Sequence, residues 1–267
     1  MSTPPLSNPC PTALITGASG GIGYELAKLF ARDDYNLVLV ARSADKLTQL
    51  AAELEKTHKI RTMVVTADLS QASSPDEVFA ATQEAGIEVD VLVNNAGFGQ
   101  FGFYVDTDPG QELEQIQLNI TSLTHLTKLY LRPMVQRRRG HILNVASTAA
   151  FQPGPLMAVY YATKAYVLSF SSALSNELKG TGVTATCLCP GPTTTEFHKR
   201  AAMDASKIMR APFMDAKAVA EIGYRAMLKG KPVVIAGKMN WLAAQSTRFA
   251  PRSWAAAVAR KIQEQRR

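Results

Sequence analysis

Residues 16–23 read Thr-Gly-Ala-Ser-Gly-Gly-Ile-Gly, between an apolar run that predicts a strand and a segment with the apolar period of a helix. Glycine lets the backbone turn sharply and approach a ligand closely, while a helix N-terminus supplies free N–H groups and a partial positive charge. A glycine-rich turn between a strand and a helix therefore predicts a cradle for the phosphates of a dinucleotide. The alternative is a tight turn without a ligand.

Outward from this turn, strand-like and helix-like segments alternate along the chain. Strands are predicted at 13–16, 37–41, 62–66, 89–93, 141–145, 183–188 and 232–236, and helices at 22–31, 43–57, 75–85, 111–136, 159–178 and 216–229. Strands that are apolar on both faces and separated by helices need a parallel sheet covered on both sides. The sequence therefore predicts an α/β fold with a single doubly wound parallel sheet of about seven strands and helices on both faces.

The composition agrees with one globular unit. Of the 267 residues, 46% are hydrophobic and 19% are charged, which excludes disordered and collagen-like chains. No apolar run reaches the roughly 18 residues of a membrane span, and residues 1–11 lack the basic start and apolar stretch of a secretory signal. The three cysteines are too few for a disulfide framework, Cys187 and Cys189 fall in a predicted buried strand, and nothing completes a metal site. We therefore expect a cytoplasmic protein that binds no metal.

The positive charge is concentrated at one end of the chain. The formal net charge is +7, and residues 238–267 hold seven basic residues and a single acidic one, Glu264. The rest of the chain is almost neutral, so it offers no broad basic face for nucleic acid. Trp254, Val258 and Ile262 recur every four residues and form a narrow apolar stripe. This pattern predicts a basic helix that lies on a membrane surface, or that packs on the body of the protein or on a sister subunit.

Three further motifs follow predicted strands. Asn94-Asn95-Ala96-Gly97 comes after the fourth strand, Ser147 ends the fifth, and Tyr160 and Lys164 open the next helix. Together with the wide glycine spacing of residues 16–23, these motifs resemble those of the short-chain dehydrogenases/reductases, in the same order along the chain. The resemblance implies a Rossmann-type fold and a single-domain reductase of the NADP-preferring type.

The composition of the two ends and the resemblance together predict a domain organisation, and the resemblance implies an activity. We expect a disordered arm at 1–11, a Rossmann-fold catalytic domain at 12–237 and a basic helical extension at 238–267. The expected activity interconverts a ketone or aldehyde, lipophilic or 3-oxoacyl in character, and its alcohol by hydride transfer, with a tyrosine as acid and base. The alternative is a catalytically silent NADP-binding regulator, or a membrane-surface scaffold, with the same fold. Family members usually form homodimers or homotetramers through the helices predicted here at 111–136 and 159–178.

The end of the second predicted strand bears on the choice of cofactor. An NAD-preferring enzyme would place an acidic residue there, on the ribose 2′-hydroxyl, whereas this chain has Arg42 followed by Ser43. A guanidinium fits a 2′-phosphate with paired charge-assisted hydrogen bonds, so we expect NADP(H) to be preferred over NAD(H). The alternative is a solvated surface arginine. By the resemblance, Asp68 contacts the adenine amino group, and Thr193 or Thr195 the carboxamide or the phosphates. The expected cofactor contacts are Gly17, Ser19, Gly20, Gly21, Ile22, Gly23, Arg42, Ser43, Asp68, Leu69, Asn95, Ala96, Gly97, Tyr160, Lys164, Pro190, Gly191, Thr193 and Thr195.

Tyr160 and Lys164 are four residues apart on a predicted helix, so their side chains share one face. A phenol has a pKa near 10, and a neighbouring ammonium favours the phenolate, so we expect a lowered pKa for Tyr160. By the resemblance, Tyr160 exchanges a proton with the substrate oxygen, Ser147 holds that oxygen, and Asn119 anchors a water that links Lys164 to solvent. Tyr161 is the competing phenol. For Asn119, a local kink or a satisfied polar residue in the core is the alternative.

We expect an adaptable apolar pocket for the substrate near these residues, with residues 196–214 as its lid. The lid and the opposite wall supply flexible apolar side chains. These side chains are Met203, Ile208, Met209, Phe213 and Met214, with Phe151, Leu156 and Met157 opposite. The alternative is ordinary packing of the segment on the body.

Overall fold

The structure, a computed structural model, describes residues 10–195 and 213–264. Its centre is one sheet of seven parallel strands in the order β3-β2-β1-β4-β5-β6-β7. The strands are β1 (Thr12–Thr16), β2 (Asn36–Ala41), β3 (Thr62–Thr66), β4 (Val91–Asn94), β5 (Gly140–Val145), β6 (Val183–Cys189) and β7 (Val233–Ile235). The strand order reverses between the neighbours β1 and β4, which opens a crevice at the carboxyl ends of the strands. The predicted doubly wound α/β sheet is confirmed.

Helices cover both faces of this sheet. They are α1 (Gly21–Arg32), α2 (Ala44–Thr57), α3 (Ser74–Glu84), α4 (Pro109–Ile116), α5 (Leu123–Gln136), α6 (Ala158–Glu177), α7 (Ala216–Leu228), α8 (Lys238–Ser246) and α9 (Arg252–Gln263). A 3₁₀ turn, Thr148–Phe151, follows β5. The predicted strands and helices agree with these bounds to within two residues, except for the segment 111–136.

The prediction of one continuous helix at 111–136 is wrong. The chain forms α4, a π-helical turn (Gln117–Ser122) and α5 in succession. A π turn widens the hydrogen-bonded ring locally and is common at functional sites. It contains Asn119, whose side chain binds the backbone of another segment. Asn119 is also buried, so it is a satisfied polar residue of the core, one of the two alternatives that the sequence left open.

The hydrophobic core consists of two layers, one on each face of the sheet. Ala13 and Ile15 of β1 pack into the layer that contains α1, α2 and α7, whereas Leu14 between them packs into the layer that contains α3, α5 and α6. Because successive side chains of a strand point to opposite faces, a sheet covered on both sides needs apolar residues at every position. Cys187 and Cys189 of β6 are buried in an apolar cluster, as the sequence predicted.

The C-terminal extension forms α8 and α9. The buried residues of α9 are Ala255, Ala259 and Gln263. Trp254, Val258 and Ile262 are exposed by 71%, 58% and 50%. The helix therefore packs on the body through two alanines and a glutamine, and the apolar stripe found in the sequence faces outward.

Some predictions fall on residues outside the described ranges. These are residues 1–9 of the arm, residues 196–212 of the lid and residues 265–267 of the basic extension. Within residues 10–195 and 213–264, no helix combines the length and the apolar character needed to cross a membrane.

Candidate active site

The carboxyl ends of the central strands surround an open cavity of about 300 Å³. Nineteen of the residues predicted from the sequence line it: Gly17, Ser19, Gly20, Gly21, Ile22, Arg42, Ser43, Asp68, Leu69, Asn95, Ala96, Gly97, Ser147, Tyr160, Lys164, Pro190, Gly191, Thr193 and Thr195. The fold therefore brings the separate sequence motifs together around one space. Gly23 and Asn119 are not part of its lining.

The glycine-rich turn forms one end of the cavity. Gly17 and Gly21 have φ angles of +68° and +55°, a region that favours glycine. A Cβ atom on Gly17 would lie 2.8 Å from the Asn95 amide nitrogen, and one on Gly21 would lie 2.9 Å from the Thr195 side chain. Gly23 lies behind the turn, where a Cβ atom would be 2.4 Å from the Gly17 carbonyl oxygen. Gly23 thus allows α1 to pack directly against the turn.

The N-terminus of α1 opens onto the same end of the cavity. Its N-cap, Gly20, supplies no side chain to the first N–H groups, and the first turn contains no acidic residue. Gly20, Gly21 and Ile22 line the cavity. Free N–H groups at a helix N-terminus attract anions, so this end of the cavity fits the pyrophosphate of a dinucleotide.

Hydrogen bonds hold the turn to β4. The Thr16 hydroxyl accepts from the backbone N–H groups of Asn95 and Ala96, at 2.9 and 3.0 Å. The Asn95 side-chain amide donates to the Thr16 carbonyl oxygen at 2.9 Å. The cradle is therefore fixed to the centre of the sheet before any ligand binds.

Arg42 lies at the end of β2 and Asp68 follows β3. An Arg42 guanidinium nitrogen is 3.8 Å from an Asp68 carboxylate oxygen, and the Arg42 side chain is 63% exposed. Asp68 also accepts hydrogen bonds from the backbone N–H and the hydroxyl of Ser70. A cation on the cavity wall is thus available for an anionic group, in the position where the sequence predicts a 2′-phosphate.

Tyr160, Ser147 and Lys164 meet where β5 and α6 face the cavity. The Ser147 and Tyr160 hydroxyls are hydrogen-bonded to each other. The Lys164 ammonium nitrogen lies 5.8 Å from the centre of the Tyr160 ring and donates to the Val145 carbonyl oxygen at 2.8 Å. Ser147 also accepts from the Ala149 N–H at 3.1 Å and so caps the 3₁₀ turn. One hydroxyl pair and one ammonium therefore share a corner of the cavity, in which Lys164 is buried and Ser147 and Tyr160 are half-buried.

The pKa values of this group differ from the expectation drawn from the sequence. Burial raises the pKa of Tyr160 above its ordinary value, and the hydrogen bond from Ser147 opposes that rise only in part. Burial also lowers the pKa of Lys164 to about 8. The expected lowering of the Tyr160 pKa is thus absent in the protein alone, because loss of solvent outweighs the hydrogen bond from Ser147. At neutral pH, Tyr160 holds its proton and Lys164 is mostly charged.

Asn119 stands behind the cavity wall. Its side-chain nitrogen donates to the Phe98 carbonyl oxygen at 2.9 Å and to the Thr163 hydroxyl at 3.0 Å. Its side-chain oxygen accepts from the Phe98 N–H at 3.2 Å. A Cβ atom on Gly97 would lie 2.9 Å from this oxygen and 3.5 Å from the Lys164 nitrogen, so both side chains end beside Gly97. The geometry assigns Asn119 to holding the segment after β4 against α6.

The sequence also matches a known protein family. A family model described as short chain dehydrogenase matches residues 11–205. This chain belongs to the short-chain dehydrogenase/reductase family.

This short-chain dehydrogenase/reductase is similar to three known proteins over different shares of its length. The mouse (Mus musculus) 17-beta-hydroxysteroid dehydrogenase type 3 is 37% identical over 70% of the chain and 61% of its own length. The bovine (Bos taurus) very-long-chain 3-oxoacyl-CoA reductase is 32% identical over 86% of the chain and 76% of its own length. A short-chain dehydrogenase from Sphingobium yanoikuyae, solved in complex with NADPH, is 33% identical over 90% of this chain and 94% of that one, with a TM-score of 0.81. The chain spans about three fifths of the length of the mouse enzyme.

This short-chain dehydrogenase/reductase also has residues at the site that the sequence did not reveal. Phe98 and Leu118 line the cavity, and Phe101 packs against a small apolar cluster of Ala149, Met157 and Tyr161. Of the predicted pocket residues, Met157 lines the cavity, whereas Phe151 packs into the core beside Val167. Met203, Ile208 and Met209 lie outside the described residues.

The C-terminal helix reaches the same cluster. The Gln263 amide of α9 donates a hydrogen bond to the Tyr161 hydroxyl. Burial raises the pKa of Tyr161 to about 12. The sequence did contain one signal: Gln263 falls on the same helix face as Ala255 and Ala259. The spacing along a helix cannot, however, show that its partner is Tyr161, which lies 102 positions away.

Proposed function

We propose that this protein interconverts a ketone or aldehyde and its alcohol by hydride transfer, with NADP(H) preferred over NAD(H). The observation that carries the proposal is the hydrogen-bonded pair of Tyr160 and Ser147, with Lys164 beside it, in a cavity that also contains the glycine cradle. The names of the relatives support a lipophilic or 3-oxoacyl substrate, since they include a hydroxysteroid dehydrogenase and a very-long-chain 3-oxoacyl-CoA reductase.

Different residues of this chain would bind the dinucleotide and transfer the proton. Gly17, Gly21 and the N-terminus of α1 would hold the pyrophosphate of the dinucleotide. A nicotinamide cofactor held there would be the source of the hydride. Tyr160 would donate its hydroxyl proton to the carbonyl oxygen, so that one hydride and one proton convert the carbonyl into an alcohol.

Ser147 and Lys164 would support Tyr160 in different ways. The Ser147 hydroxyl, already bonded to that of Tyr160, would hold the substrate oxygen in the same place. The Lys164 ammonium would stabilise the phenolate that remains after proton transfer, since opposite charge favours the ionised form. The attraction between the Lys164 ammonium and the Tyr160 phenolate is stronger inside the protein than it would be in water, because the surroundings are less polar.

Arg42 supports the preference for NADP(H). It contributes the guanidinium on this wall of the cavity, and the neighbour from Sphingobium yanoikuyae was solved with NADPH. A guanidinium pairs with a phosphate through charge-assisted hydrogen bonds that a ribose hydroxyl cannot replace.

Turnover with each cofactor tests the proposal. The purified protein is mixed with NADPH, or with NADH, and a panel of ketones, aldehydes and 3-oxoacyl thioesters, and cofactor oxidation is followed. Turnover with NADPH that exceeds turnover with NADH is the expected result. Saturable NADPH binding without turnover on the whole panel would instead favour the catalytically silent regulator.

We also propose that the chain assembles as a homodimer or homotetramer through α4, α5 and α6. Leu113 and Ile116 of α4 and Tyr166 of α6 are large apolar residues exposed on these helices. Light scattering coupled to size exclusion is expected to give twice or four times the mass of the chain, and Leu113→Glu is expected to reduce it. A monomer in the wild type would contradict the proposal.

We further propose a cytoplasmic protein that touches anionic membranes through α9. The support is the exposed stripe of Trp254, Val258 and Ile262, next to the basic residues Arg252 and Lys261. Sedimentation with vesicles that contain anionic lipid is expected to bind the wild type, and replacing the three stripe residues by serine is expected to abolish binding. Ala257→Ser, on the same helix, is the control. Equal binding of the stripe variant and the wild type would contradict membrane contact.

A further inference from the structure

Two contacts hold α9 against the body of the protein near Tyr160. The buried residues of α9 recur every four positions and so form one face, and Gln263 is the polar member of that face. Gln263 is 1% exposed, although it is the last residue of a helix near the chain end. Burying an amide costs free energy unless the amide is hydrogen-bonded. The hydrogen-bond partner of Gln263 therefore identifies what holds this end of the helix on the body.

That partner is Tyr161, the neighbour of Tyr160. Gln263 donates to its hydroxyl, and Tyr161 itself lines the cavity while being 9% exposed. The opposite side of its ring rests on Gly154, where a Cβ atom would lie 2.1 Å from the ring. Tyr161 is therefore fixed between the Gly154 backbone and α9. Because burial raises the pKa of its hydroxyl to about 12, Tyr161 remains a neutral hydrogen-bond partner at neutral pH.

The second contact involves the segment that follows β4. The Arg260 guanidinium of α9 lies 5.7 Å from the centre of the Phe103 ring, a cation–π distance. Two residues earlier, Phe101 packs on the apolar cluster of Ala149, Met157 and Tyr161. Between them, the Gly102 N–H donates to the Leu156 carbonyl oxygen at 2.9 Å. Thus α9 touches both chain segments that enclose this cluster.

The cluster adjoins the reacting end of the cavity. It includes the ring of Tyr160 among its neighbours, and Ala149, Met157 and Tyr161 also line the cavity. Apolar side chains beside a proton donor provide a surface for an apolar substituent of the substrate. A small carbonyl compound held by Tyr160 and Ser147 would leave this surface uncovered, whereas a bulky one would extend across it.

We infer that α9 supports the wall of the substrate site from behind and that Gln263 is a positioning residue, which fixes the Tyr161 ring and so sets the room for a bulky apolar group next to the carbonyl. This inference rests on the proposed reduction of carbonyl compounds. It assigns a role in substrate selection to the C-terminal extension, and it places that role on the buried face of α9, separate from the exposed stripe.

Kinetics with two substrate sizes test this role. Gln263→Leu removes the donor, Tyr161→Phe removes the acceptor, and Lys261→Ala changes an exposed residue of the same helix as a control. Each variant is assayed for NADPH oxidation with a three-carbon ketone and with an aryl ketone that carries a bulky apolar substituent. For the bulky ketone, KM is expected to rise at least fivefold in Gln263→Leu and in Tyr161→Phe. The Lys261→Ala control is expected to stay within twofold of the wild type with both ketones, and in the other two variants the KM for the small ketone is expected to rise less than the KM for the bulky one.

The double variant separates positioning from general structural damage. If Gln263 acts through the Tyr161 hydroxyl, then Gln263→Leu in the Tyr161→Phe background adds less than twofold to the KM for the bulky ketone. Fully multiplicative effects of the two changes would overturn the inference. So would an equal loss for both ketones, which would indicate damage to the whole site.

A measurement without turnover keeps the inference separate from the proposed function. Hydrogen exchange of a peptide that covers residues 155–166 is followed by mass spectrometry in the wild type, Gln263→Leu and Lys261→Ala. Faster exchange in Gln263→Leu alone would support the wall, even if the wild type turned over no carbonyl compound and the proposed function failed. Unchanged exchange in Gln263→Leu would overturn the inference, even in an active reductase.

Discussion

Gly23→Ala is expected to destabilise the protein through a single methyl group. The added Cβ atom would lie 2.4 Å from the Gly17 carbonyl oxygen and 2.5 Å from the Asn95 amide nitrogen. Neither neighbour can move freely, since Gly17 is backbone and the Asn95 amide is bonded to the Thr16 and Gly17 carbonyl oxygens. Forcing a methylene group into a packed site costs about 1–3 kcal/mol, and contacts this short correspond to the upper end. Alanine returns up to about 1 kcal/mol of helix propensity. The net loss in the free energy of unfolding is therefore about 2 kcal/mol.

Thermal unfolding of the protein without cofactor measures this loss, and Gly20→Ala is the matched control. A Cβ atom on Gly20 meets nothing within 4 Å, and Gly20 has an extended backbone that any residue adopts. The expected drop in Tm is about 4–8 °C for Gly23→Ala, whereas Gly20→Ala loses less than about 1 kcal/mol as an altered N-cap. Dissociation of NADPH is expected to be faster from Gly23→Ala, because the turn must shift. A Tm within 1 °C of the wild type for Gly23→Ala would refute the packing of α1 on the turn.

Two further predictions concern charge. Arg42→Asp is expected to weaken NADPH binding about 10- to 100-fold relative to NADH binding, because about 1.5–3 kcal/mol of charge-assisted hydrogen bonding is lost. Fluorescence titration measures the two dissociation constants. Equal changes in both would mean that the 2′-phosphate is held elsewhere. Folding lowers the pKa of Lys164 from 10.5 to about 8. Between these two pH values the unfolded chain binds more protons than the folded protein, so the free energy of unfolding rises with pH. Urea titrations between pH 8 and 9.5 are expected to show a slope more positive in the wild type than in Lys164→Met, by up to about 1.4 kcal/mol per pH unit. Parallel slopes would contradict the burial of a charged Lys164.

Local patterns were sufficient to predict the sheet and most of the cavity lining. Strands that are apolar at every position, such as 37–41, have few alternatives to a sheet covered on both faces. Residues that directly follow such strands converge at one edge because the strands are parallel, which is how Gly17, Asn95 and Ser147 reach one cavity. The parts of the site that depend on strand ends were therefore predictable.

The parts that depend on tertiary contact were not predictable. The π turn at Asn119 interrupts a segment whose apolar spacing reads as one helix. The pKa of Tyr160 follows from burial as well as from its neighbours, and burial is set by the whole fold. Gln263 meets Tyr161 only because α9 folds back across the body. Sequence periods identify faces of helices, but they carry no information about what those faces meet.

The role of Tyr160 as proton donor is tested most directly by Tyr160→Phe, which removes one hydroxyl and leaves the ring in its cluster. The measurement is kcat for NADPH oxidation with a carbonyl compound that the wild type reduces, beside the NADPH dissociation constant. The expected result is a fall in kcat of at least about 100-fold, the lower range for loss of a general acid, with NADPH affinity within twofold of the wild type. A Tyr160→Phe variant that turns over at the wild-type rate would contradict the proposed mechanism.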